Sequence, residues 1–154
     1  KAPDNAWARS NLAAVYLHDR EFDRSWEEIT VALAIRPTDS HSLHILGKLY
    51  WQKKDFYKAE ETFKLALEND QSKKNQRGLY RMLAFLYLDY ALNQQALAMM
   101  QAALAAVSSD DERVTRIDQV IYDTLKQYAQ KNPQRYTNQE KAELIQLITL
   151  VRGF

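Results

Sequence analysis

The fold class this sequence predicts is an all-α solenoid, an array of antiparallel helix pairs, and three observations predict it. Pro3 and Pro37 stand 34 residues apart, each followed by a polar pair and then by a matching run of residues. Self-similarity at that period marks arrays of stacked helix pairs. The 154 residues include three Gly and three Pro, against plentiful Ala, Leu, Gln, Glu and Lys, a composition that suits helices and little else. Small and aromatic residues also recur at fixed stations: a helix pair needs a small residue where its backbones approach and a ring to fill the gap beside it.

Taken in order, residues 1–5 read as the tail of a preceding repeat or a linker, with Pro3 at that repeat's closing station, so a further repeat is expected upstream. Residues 6–39 form the first copy, with Leu12, Ala13, Tyr16, Phe22, Ser25 and Ala32 at its special stations. Residues 40–73 repeat them as Leu46, Gly47, Tyr50, Phe56, Ala59 and Ala66. A third copy, 77–110, has Leu83, Ala84, Tyr87, Ala96 and Ala103 after an extra triplet, Lys74 to Gln76, which predicts a longer helix end or loop at that junction. Gly47 inside a helix costs about 1 kcal/mol against Ala, so its presence implies packing too close for a methyl group. Two stations depart from the pattern. Arg9 stands where a large apolar residue is expected unless Trp7 covers the spot, and Asn93 replaces the ring of Phe22 and Phe56, leaving Leu92 to fill that pocket.

Residues 111–154 read as a C-terminal capping helix pair. Ser109 with Glu112 and Thr137 with Glu140 are capping boxes. Val114, Ile117, Ile121, Leu125 and Tyr128 make one apolar stripe, Leu144, Leu147, Ile148 and Val151 a second, and Asn132–Pro133 breaks the chain between them. Asp118 falls where a small residue would be needed, so no fourth standard repeat is assigned. Ile145 and Leu150 widen the apolar face of the last helix beyond one buried stripe, which predicts a second interface or self-association there.

Composition narrows function by exclusion. A net charge of +1 lacks the basic field that nucleic-acid binding needs. With no cysteine there is no thiolate chemistry and no cysteine-bound zinc, and no apolar run approaches a membrane span. His18, His41 and His44 are the three histidines; His41 and His44 with Asp39 make a weak metal signal, and no phosphate loop or nucleophile elbow accompanies them. The expectation is a non-enzyme without cofactor or metal, its compartment undefined.

The second copy, Leu43, Leu46, Gly47, Tyr50, Phe56, Ala59, Phe63 and Ala66, resembles the tetratricopeptide repeat family, and the resemblance covers about two thirds of the chain. It implies a right-handed superhelix of three repeats plus the C-terminal pair, with the first helix of each repeat lining a concave groove. The implied groove residues are Trp7, Ser10, Ala14, Leu17 and His18 in the first copy. His41, His44, Lys48, Trp51 and Gln52 follow in the second, and Gly78, Arg81, Phe85, Leu88 and Asp89 in the third. Leu17, Trp51, Phe85 and Leu88 lie off the packing stations, so they are expected to anchor a partner segment, with Lys48 and Arg81 giving polar register. The stations of the family's carboxylate clamp hold Ser10, Ala14 and Ile45, so that clamp is absent. The function implied is a protein-binding scaffold or adaptor within a larger bacterial assembly or secretion-related protein. A small chaperone of the type III secretion kind, or an oligomerisation module using the last helices, are the alternatives.

Overall fold

The computed structural model describes residues 5–106, 112–131 and 133–152, with the side chains at 112–115, 117, 133 and 147–152 left outside that description. All regular structure among the described residues is helical: α1 (Ala6–His18), α2 (Phe22–Ile35), α3 (Ser40–Gln52), α4 (Phe56–Glu68), α5 (Lys73–Asp89), α6 (Asn93–Ala105), α7 (Glu112–Ala129) and α8 (Asn138–Arg152), with one 3₁₀ turn at Pro133–Arg135. None of these helices is long and apolar enough to cross a membrane. The helices fall into two compact units, α1–α4 within Lys1–Asp70 and α5–α8 within Gln71–Gly153.

Local chemistry sets where the helices start. The side chains of Asn5, Asp39 and Asp55 accept from the backbone N–H three residues on, at Ala8 (3.1 Å), Ser42 (2.9 Å) and Lys58 (3.3 Å), satisfying donors that a helix start leaves free. Ser72 caps α5 in the same way, and the triplet Lys74–Gln76 lengthens that helix to 17 residues where α1, α3 and α4 have 13. The junction is extra helix rather than extra loop. At α8 the Thr137–Glu140 box closes in both directions, Glu140 N–H to Thr137 Oγ1 at 3.1 Å and Thr137 N–H to Glu140 Oε2 at 3.0 Å. Ser109, the other predicted cap, lies outside the described residues.

Three helix ends share one device. Arg20, Lys54 and Ala91 adopt left-handed backbone, φ 63°, 62° and 59°, each just past the end of the first helix of its pair. The next N–H reaches back five residues to a tyrosine carbonyl: Glu21 to Tyr16 (2.8 Å), Asp55 to Tyr50 (2.9 Å) and Leu92 to Tyr87 (2.8 Å). The left-handed residue itself bonds three back, to Leu17, Trp51 and Leu88. These paired bonds are the Schellman arrangement, which ties off the last carbonyls and turns the chain sharply into the next helix.

In the first unit α1 packs on α2, α3 on α4, and α3 also lies against both α1 and α2. Ser25 Oγ donates to the Ala13 carbonyl at 2.8 Å in the interior, an approach possible only with small side chains at both stations. Ala13, Leu17, Ile29, Ala32, Ile45 and Leu49 form one buried cluster with Ala6. Arg9 is accommodated by an ion pair with Glu28 at 2.9 Å; Trp7 does not cover that spot, being 66% exposed.

Gly47 has a more specific cause than backbone approach. A Cβ built there would sit 2.5 Å from Cε1 of the fully buried Phe63 ring. The equivalent stations hold Ala13 with Ile29 and Ala84 with Met100, so the copy with the bulkiest partner is the one with glycine. Gly47→Ala should therefore cost about 1–2 kcal/mol despite alanine's better helix propensity. Adding Phe63→Ile should recover most of that loss in urea unfolding. A loss equal in the single and double variants would remove the ring from the explanation.

In the second unit α6 packs on α5 and α7, while α8 lies against α5. Ile121, Leu125 and Tyr128 of the first predicted stripe are buried, as is Leu144 of the second. The side chains of Val114, Ile117, Leu147, Ile148 and Val151 lie outside the described residues. Asn93, which replaces an aromatic ring, is buried: its Nδ2 donates to the Tyr128 carbonyl at 3.1 Å and to the Tyr136 hydroxyl, while Gln94 Nε2 reaches the Ala129 carbonyl at 2.6 Å. The start of α6 thus binds the end of α7 through polar bonds where the other copies use an aromatic ring.

Candidate functional site

The apolar anchors expected of a groove are core residues. Leu17 belongs to the buried cluster of the first unit, and Trp51, Phe85 and Leu88 are buried as well, Trp51 completely. The expectation rested on these positions lying off the packing stations. A helix flanked on several sides buries more than one stripe. α3 has three neighbours in its own unit, and α5 carries both α6 and α8.

Arg81, expected to give a partner polar register, is engaged within the second unit. Its Nη2 donates to Oδ1 of Asp118, which is fully buried on α7, and Arg77 Nε stands 3.9 Å from the other carboxylate oxygen. That explains why an acid occupies the station where a small residue was expected: α7 is held to α5 by charge rather than by close backbone approach. Asp89 is exposed at the end of α5.

The remaining candidates lie on α1 and α3. His18 is exposed and pairs with its neighbour Asp19 at 3.1 Å. His41 is exposed, its Nε2 3.1 Å from Asn11 Oδ1 on α1, and just beneath it Ser10 and Ser42 share a buried hydrogen bond of 2.5 Å. His44, half-buried, sets its ring edge-on to Phe63 at 6.1 Å, and Gln52 is half-buried at the end of the helix. Between them lies Lys48, 7% exposed, with no carboxylate paired to its ammonium among the described residues. Burial lowers the Lys48 pKa to about 8, while burial together with the nearby Lys48 and His41 lowers His44 to about 4. At neutral pH His44 is an uncharged donor and acceptor beside a lysine that keeps its charge without a counter-ion.

The possible metal set does not assemble. The Asp39 carboxylate is used by the α3 cap and by Ser42 Oγ at 2.6 Å, and no group of three His, Asp or Glu among the described residues is placed to hold an ion. At the C-terminal end Ile145 is exposed; the Leu150 side chain lies outside the described residues. Sequence reasoning marked Asp118 and Asn93 as departures from the pattern but did not foresee the bonds they make. Each was visible as a polar residue at an apolar or small-residue station.

No protein-family model matches this chain, and no curated protein matches it.

Proposed function

We propose that this chain is a non-catalytic protein-interaction module of the tetratricopeptide type, its helix pairs wound as a right-handed superhelix. It holds an acidic segment of a partner protein against the α1–α3 side of its first unit. The observation that carries this reading is Lys48. A largely buried ammonium without a counter-charge is costly to maintain, and a partner carboxylate brought to it would offset that cost through a charge-assisted hydrogen bond. His44 beside it supplies a neutral hydrogen-bonding group, and His41 and Gln52 lie before and after it on α3. Recognition is led by charge and hydrogen bonds rather than by the aromatic anchors the sequence suggested.

A photo-crosslinking amino acid at His41 tests it, with the same group at Tyr57, exposed on α4, as the control face. The His41 protein should capture a partner whose adducted peptide is rich in Asp and Glu, and Lys48→Met should abolish that capture while Lys48→Arg retains part of it. Capture from Tyr57 alone, or capture indifferent to Lys48→Met, would place the interface elsewhere.

A further inference from the structure

On α3, the stations Ser42, Leu46 and Leu49 form the face turned to the preceding helix pair: Ser42 and Leu49 are fully buried, Ser42 bonds to Ser10 of α1, and Leu49 belongs to one buried cluster with Ile29 and Ala32 of α2 and Ala13 and Leu17 of α1, against which Leu46 packs. One period earlier the same stations are Ala8, Leu12 and Val15 on α1. They are separated by four and three residues and so share one helix face. All three are exposed, Val15 at 55% where Leu49 has no exposure. The α1 face thus has the chemistry of a packing face and lacks a cover.

We propose that this face docks one further helix pair of the same repeat kind, seated on α1 as α1–α2 is seated on α3. The occupant is defined by the surface already used one step along: an aliphatic residue at the Ile29 station and an alanine at the Ala32 station, on a second helix that crosses α1. A second copy of this chain does not supply it, because its own α1–α2 surface is covered by its α3. The inference concerns a different face from the Lys48 site and stands or falls separately.

A duplicated protein tests it, residues 1–39 followed directly by residues 6–154, so that Asp39 takes the place of Asn5 as the cap of the original α1. Nearest-neighbour stacking predicts helicity rising in proportion to the added pair, and a melting temperature higher by roughly 5–10 °C. Val15→Glu in the original copy should cancel that rise, while the same substitution in the 154-residue protein leaves its melting temperature within roughly 2 °C. Three results would overturn the proposal: no gain in stability or helicity on duplication, an equal loss from Val15→Glu in both proteins, or a 154-residue protein that sediments as a dimer and is made monomeric by Val15→Glu, since the face would then pair with itself.

Discussion

Asp118→Ala should destabilise the protein by about 3–5 kcal/mol, the largest effect expected of any single substitution here, because it removes one partner of a buried charge pair and strands the other. Asp118 is fully enclosed on α7, with Arg81 bonded to one carboxylate oxygen and Arg77 close to the other. Without the acid, the largely buried Arg77 loses its nearest counter-charge, and Arg81, part of which already reaches solvent, loses its bond to α7. The loss belongs to the missing partner rather than to the net value of the pair, so the double variant Asp118→Leu with Arg81→Met should recover much of it. Urea unfolding of the single and double variants measures the coupling. Additive losses would show that the two side chains do not depend on each other.

That ion pair also marks where the sequence was legible and where it was not. The helices could be read because each signal was local: small and aromatic residues recur at fixed stations, the period of 34 aligns the pairs, and Thr137 with Glu140 declares the last helix. The caps at Asn5, Asp39 and Asp55 were not read in advance. The turns were harder. Left-handed backbone is usually signalled by Gly or Asn, and here it falls on Arg20, Lys54 and Ala91, whose strain is offset by two backbone bonds apiece that no residue type advertises.

The site was misjudged for a different reason. Reading Trp51 and Phe85 as exposed treated each helix as having one buried stripe, whereas α3 and α5 each pack against several neighbours and bury residues outside the main stripe too. Long-range pairing was equally invisible. Arg81 and Asp118 are 37 residues apart in sequence, and only a guess at the packing of α7 on α5 could have joined them. The adjacency of His44 and Lys48 was legible, because a spacing of four residues places them together on any helix; the burial of Lys48 was not.

Lys48 is where stability and function separate most clearly, and Lys48→Met should make the protein more stable at pH 7, by about 2 kcal/mol. The lysine pKa falls from its ordinary 10.5 to about 8 because burial disfavours the ammonium. A shift of that size corresponds to about 3 kcal/mol, reduced here because solvent still reaches the end of the side chain. The sign follows from proton counting. Between about pH 8 and 10.5 the unfolded chain holds a proton on this lysine that the folded chain has released, so stability rises with pH through that window; below it both states are charged and the full burial cost is present. The readout is the difference between wild type and Lys48→Met, measured by urea unfolding from pH 7 to 10, so that every other group cancels. That difference should favour the variant at pH 7 and shrink steadily towards pH 10. A variant less stable than wild type at pH 7 would mean that the ammonium already has a partner inside the protein, and the case for a partner's carboxylate at this position would fail with it.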